Sequence, residues 1–233
     1  MGQPLCSRIR VRFYAVPVFS RRMHAMDERK KSTTLKTSSH PKRGASAAAK
    51  KTGRSGRPND MVYRLKDFCT ELTASIKSEG IDGLPAMAEK LQELLVNPEF
   101  VAETFSDDTP PGKQILFHDP ETDVYVQAHV QSAGKRSKPH SHGASWAIYG
   151  NARGYTRMNE WERLNSENED HAVLKSHADY RLGPGEARVY GPNVIHSTEH
   201  PEKAWVIRVL GTDLNSIPRY RFNGQTDKIE AAA

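Results

Sequence analysis

At 233 residues the chain can build one domain with a substantial core, or at most two small ones. Its net charge of +6 is unevenly placed: residues 1–60 hold fifteen Lys or Arg against three acids, about +12, which leaves about −6 for the remainder. The folded part is therefore mildly acidic, which argues against a nucleic-acid partner for it, and no run approaches the ~18 to 20 apolar residues that a membrane span needs.

The opening stretch, residues 1–26, carries five Arg and no acid, in the manner of an organelle transit peptide. The preferred reading is an upstream extension or a misassigned start, because Met26 and Met61 both offer later starts. From Lys30 to Pro58 the chain is rich in Ser, Thr, Gly, Ala and Lys, with no large apolar residue after Leu35. Such a segment buries too little surface to offset its ordering entropy, so residues 1–60 are expected to form a disordered basic tail. Cys6 and Cys69 imply no disulfide framework, and a reducing, cytoplasmic setting is expected.

Residues 61–233 are expected to form the folded unit, with a helical lead-in over about 61–100. Between Tyr63 and Ser78, Leu65, Phe68, Leu72 and Ile76 follow helical spacing. A second helix is predicted from about Pro85 to Val96, with Met87, Leu91, Leu94 and Leu95 as its apolar stripe. From Gln114 onward come short β segments separated by Gly, Pro, Asp and Asn: QILFH, DVYVQAHV, WAIYGNARGYTRMNEW, YRLGPGEARVYG and AWVIRVLG. Strands of this length and rhythm predict an antiparallel barrel or sandwich over about 112–222, with a jelly roll among the candidates.

Within KPHSHGASWAIYG, His140 and His142 stand two residues apart at the start of a run that reads as a strand, where i and i+2 project to one side. Two imidazoles on one face already define an edge of a coordination sphere. Gly134 lies six residues before His140 and Gly154 twelve after His142, which resembles the first cupin motif, with Ala147 at its glutamate position. Downstream, GEARVYGPNVIHSTEH resembles the second cupin motif. Gly185 and His196 match it, while Gly191, Asn193 and His200 replace its proline, second glycine and asparagine. The resemblance implies a mainly β cupin double-stranded β-helix with a metal on His140, His142 and His196.

Three neutral imidazoles without the glutamate are similar to the site of the thiol dioxygenases, the cysteine and 3-mercaptopropionate dioxygenase family. Over about 110 residues the barrel segment resembles bacterial members, especially in the closing GTDLN with Pro218 and Arg219. That resemblance implies Fe(2+), a small carboxylated thiol and O2 as partners, and a sulfinic acid product. It departs from the family where a Ser-x-His-x-Tyr run is replaced by Val206, Arg208 and Leu210, and Ala147 and Leu210 exclude a Cys-Tyr cross-link. Arg219 is the candidate for holding the substrate carboxylate, with Arg208 as its rival, and Gln114 roughly matches a glutamine of the 3-mercaptopropionate enzymes. Another metal-dependent cupin dioxygenase, or a cupin that binds a metal or ligand without turnover, are the competing readings.

Other residues have plainer expectations. His171 and His177 sit in a polar excursion and should be solvated. His118 suits a turn, and His200, four beyond His196, suits a local hydrogen bond past the strand. Trp146, Ile148 and Tyr149 are expected in the core or barrel wall, Tyr190 in the core with a reach to the site as its alternative, and Trp161 and Trp205 at the barrel's ends or faces.

Overall fold

The computed structural model describes residues 63–223 and 229–231. The expected basic tail, 1–60, lies outside the described residues. Helix α1 spans Leu65–Glu79 and α2 spans Leu84–Leu95, joined by a 3-10 turn over Gly80–Gly83. Both fall within about two residues of the predicted bounds, because their apolar stripes bury Phe68 and Leu72 on α1 and Met87, Leu91, Leu94 and Leu95 on α2. The lead-in contains three helices rather than two. Helix α3, Pro98–Thr104, starts where Asn97 Oδ1 accepts hydrogen bonds from the backbone of Glu99 at 2.9 Å and Phe100 at 3.5 Å, with Pro98 in the first turn.

Eleven strands follow among the described residues. Five form one antiparallel sheet in the order β1 (Gly112–Asp119), β2 (Val124–Gln131), β9 (Ala204–Leu210), β4 (Ala147–Arg153) and β7 (Ala187–Tyr190). Four form a second, in the order β3 (Lys135–Arg136), β8 (Ile195–His200), β5 (Thr156–Arg163) and β6 (Leu174–Leu182). The short strands β10 (Tyr220–Phe222) and β11 (Ile229–Ala231) pair beside them. Chain-distant strands such as β2 and β9, or β4 and β9, lie side by side, which is the winding of a double-stranded β-helix. The fold is the expected mainly β jelly roll.

Strand alternation sorts the five-stranded sheet into two faces. One face, with Val124, Val126, Ala128, Val130, Ile148, Ile207 and Val209, packs on the helices. Gly150 lets α2 approach: a Cβ there would lie 2.5 Å from Leu95 Cδ1. The other face lines the barrel interior with Ala147, Tyr149, Tyr190, Val206 and Leu210, met from the second sheet by Met158 and Leu182. The interior is therefore partly apolar.

Two elements differ from expectation. Strand β8 was not predicted, because its inward residues His196, Thr198 and His200 are polar and leave no apolar alternation to read. Strand β6 begins at Leu174, inside the excursion expected to be irregular, because it is a largely exposed edge strand held by β5.

Candidate metal centre

His196 projects from β8 into the barrel and is 1% exposed. Opposite it, His140 makes an isolated antiparallel bridge, with backbone N–H···O bonds of 2.9 Å in both directions. His140 and His142 thus lie in the loop before β4 rather than on the strand that the sequence suggested. They still converge. The loop is pinned on its other side by the C-terminal segment, where Ser141 N donates to Tyr220 O at 3.1 Å and Phe222 N donates to Pro139 O at 2.8 Å. Asn193 N donates to Gly143 O at 2.7 Å, closing the turn just after His142.

Gly143 is what allows that turn. Its φ is +57°, and a Cβ there would collide with the carbonyl oxygen of Pro218. Gly143→Ala is expected to cost about 2 kcal/mol or more, roughly 1 to 2 from the left-handed backbone alone and the rest from displacing the C-terminal segment. Thermal unfolding together with a metal titration of the variant checks this. An unchanged melting temperature and unchanged affinity would show that the clamp does not position the histidines.

One ligand atom from each of His140, His142 and His196 lies within 4.8 Å of the others, close enough for a single ion to be shared. Their ring centroids are 4.5 to 5.6 Å apart. His140 Nδ1 is 2.9 Å from Lys138 O and His196 Nδ1 is 3.3 Å from Val194 O. A carbonyl only accepts, so both rings carry hydrogen on Nδ1 and keep the Nε2 lone pair. Nε2 of His196 is buried and has no hydrogen-bond partner, an orphaned acceptor of the kind that a metal satisfies. Burial holds the imidazoles neutral: it pushes His140 down to about 4 and His196 to about 3, and His142 well below its usual value. Ala147, at the motif's glutamate position, is fully buried and adds no carboxylate. The donor set fits a divalent ion that retains its full charge and open positions.

Residues expected in the core or barrel wall line the site as well. Tyr149 places its hydroxyl 3.4 Å from His142 Nε2, and Tyr190 packs 5.2 Å from the His196 ring. Tyr190 shares a 2.7 Å hydrogen bond with Tyr180, whose hydroxyl lies 2.6 Å from Glu160 Oε1. Glu160 stands opposite His196 in the β5–β8 register, so a carboxylate and two phenols line one side. Inward alternation along β5 was the signal that could have found it.

Arg208 also points inward from β9, with its guanidinium carbon 4.5 Å from the Tyr149 ring centre. Arg219 is half-buried in the segment after β9, near enough for its charge to act on His140 and His142, and its Nη2 donates to Asn215 Oδ1 at 3.4 Å. Burial lowers its pKa, with a smaller contribution from Arg221. Gln114 is exposed and paired with Ala128, on the helix-covered face. It does not face the site, because the register puts it in the row of Ala128 and Ile207, one residue out of phase with Arg208. The glutamine in the interior row is Gln127, paired with Arg208 and buried, whose Oε1 lies 3.1 Å from His129 Nε2.

His200 is not past the strand. It ends β8 inside the barrel, 4% exposed, 3.2 Å from Thr156 Oγ1, and Thr156 also donates to Asn151 Oδ1 at 3.1 Å. His177 is exposed and His171 sits among Glu169 and Asp170, both away from the triad. His118 stacks on Tyr125 at 4.0 Å and meets Asp123 near the β1–β2 turn, as a turn residue would. No helix among the described residues is long and apolar enough to cross a membrane.

No family model and no curated protein matches the sequence. Solved structures similar to it include KdgF from Halomonas sp., 22% identical, covering 45% of this chain and 82% of that one at a TM-score of 0.33. A cupin superfamily protein from Desulfitobacterium hafniense is 9% identical, covering 48% and 87% at a TM-score of 0.35. An oxalate oxidase bound to glycolate is 19% identical, covering 48% and 57% at a TM-score of 0.33.

Proposed function

We propose that the protein is a mononuclear non-haem iron thiol dioxygenase, converting a small carboxylated thiol such as 3-mercaptopropionate or cysteine to its sulfinic acid with O2. The observation that carries this reading is a cluster of three neutral imidazoles, one with an orphaned Nε2, at a motif whose glutamate is Ala147. An iron(II) ion bound there would supply the chemistry by which both atoms of O2 join sulfur, RSH + O2 giving RSO2H, and would favour the thiolate over the thiol. The three histidines add no negative charge, so the attraction for an anionic sulfur is not cancelled by the protein. Tyr149, Tyr190 and Ala147, all nearly or fully buried, exclude water from the inner side of the site. With Val206 and Leu210 on β9, the family's hydroxyl and phenol are absent from that strand, and Tyr149 is the hydroxyl nearest the triad among the contacts described.

The test is aerobic incubation of the iron(II) protein with 3-mercaptopropionate and with cysteine, following oxygen uptake and sulfinate. A parallel anaerobic sample with nitric oxide is examined by electron paramagnetic resonance. Sulfinate formed with one oxygen consumed per thiol, and a thiol-dependent change of the iron signal, are expected. An iron signal indifferent to thiol, with no sulfinate, would overturn the reading and leave a different metal-dependent cupin.

A further inference from the structure

Two of the three candidate ligands sit on a segment with no regular structure of its own. Residues 137–146, between β3 and β4, carry His140 and His142 but no strand or helix, so their backbone is fixed only by what flanks it. On one side β8 supplies the His140–His196 bridge. On the other lies the stretch that leaves the barrel after β9, residues 216–222, which ends in β10. There Ser141 N donates to Tyr220 O at 3.1 Å, Phe222 N donates to Pro139 O at 2.8 Å, and His140 makes a second bridge, with Arg221. His140 thus stands between β8 and β10, paired with each.

This strap closes over the loop at the triad end of the barrel. At its base Leu214 packs against the interior cluster that contains Ala147, Tyr149 and Tyr190, and Pro218 presses its carbonyl against Gly143. Its own hold is slight. Of β10 only Phe222 is buried, and the remaining ties are a three-pair ladder with β11 and an exposed Lys138–Glu230 ion pair at 3.4 Å, which adds little. An element with so few buried contacts opens at a lower free energy than the sheets behind it.

We infer that docking of the C-terminal strap, residues 216–222, and loading of the histidine triad are one coupled equilibrium. The docked strap holds the loop in the form that brings His140 and His142 to His196, and a metal shared by all three holds the strap docked. By linkage each favours the other by the same factor. Undocking frees the loop that carries two of the ligands while His196 stays on β8, so whatever draws the strap away releases the metal. The inference rests on the triad as a metal centre and on none of the thiol chemistry.

The test uses the metal-free full chain and zinc(II) alone, with hydrogen exchange read amide by amide. Saturating zinc should slow the Phe222 and Ser141 amides at least ~10-fold, a coupling of ordinary size, while the turn amides of Thr109 and Glu169 change less than about twofold. In His196→Ala the zinc effect at Phe222 should vanish. A chain ended after Asn215 should bind zinc at least ~10-fold more weakly with its circular dichroism kept. If that chain loses its fold, Phe222→Ala takes its place: it removes the buried side chain of β10, keeps every backbone bond, and should weaken zinc at least ~3-fold. Exchange at Phe222 and Ser141 that ignores zinc, equal slowing at Thr109 and Glu169, or undiminished zinc affinity in the shortened, folded chain overturns the coupling. So does a full chain that binds no zinc. Zinc that slows the strap, in a protein whose iron(II) form makes no sulfinate, keeps the coupling and refutes the dioxygenase.

Discussion

Replacing His196 with alanine is expected to lower metal affinity by more than ~100-fold and to abolish turnover while leaving the barrel folded. Loss of residues that merely orient a ligand already costs 10- to 100-fold, and His196 supplies one of three donors. The fold should persist because the side chain removed is polar, with an Nε2 that bonds to nothing in the metal-free chain. Its backbone bridge to His140 does not depend on the imidazole. The remaining cost is a cavity of ring size, about 1 to 3 kcal/mol. His171→Ala, in the polar excursion, should keep both metal and activity. Metal content after purification and dialysis, beside circular dichroism, decides the matter. If His171→Ala loses metal and His196→Ala retains it, the ligand set is wrong.

The second large effect is acid unfolding of the metal-free protein. Five histidines, four of them buried and His140 half-buried, are held neutral mainly by loss of solvation, with Arg208 as a further contribution. His129 is depressed to about 2, His196 to about 3, His140 and His200 to about 4, and His142 well below 6.5. In the unfolded chain each takes a proton near 6.5, so as pH falls through that value the unfolded state binds protons that the folded state refuses. The stability lost lies between 6.5 and the folded values, and it is fully present above 6.5. Each proton contributes about 1.4 kcal/mol per pH unit, so five acting together remove on the order of 5 to 7 kcal/mol per unit. A domain of ordinary stability, about 5 to 15 kcal/mol, should therefore unfold within roughly one to three units below 6.5. Chemical denaturation at stepped pH measures the slope. His129→Gln with His200→Gln should make it shallower by about two protons, and a slope independent of all five would contradict the burial argument.

The helices were legible because their apolar residues recur at the helical period and nothing nearby competes with that pattern. The histidine pair and the two glycine-framed motifs were legible for a different reason, since spacing along the chain survives in the sequence even where the backbone is a loop. His140 and His142 illustrate this: strand alternation misplaced them, yet their spacing still pointed to a shared site. Asn193, standing where the motif has glycine, has φ +60°, a conformation that asparagine tolerates. Local chemistry was enough there.

What lies between strands distant in the chain was not legible. Gln114 and Gln127 are both glutamines on adjacent strands, and only the β1–β2 register sends one outward to the helix face and the other to Arg208. His200 looks like a surface residue in a polar run, because the inward positions of β8 are polar and carry no hydrophobic period. The first two helices of the lead-in, the β class and the three candidate ligands can be read from residue order alone, since they rest on short-range periods and spacings. Strand pairing alone puts Arg208 in one row with Gln127 and Tyr149, sets Glu160 opposite His196, and brings the Tyr149 hydroxyl to His142. Those facts depend on which strands pair and in what register, a choice made by burial of the whole sheet rather than by any one segment.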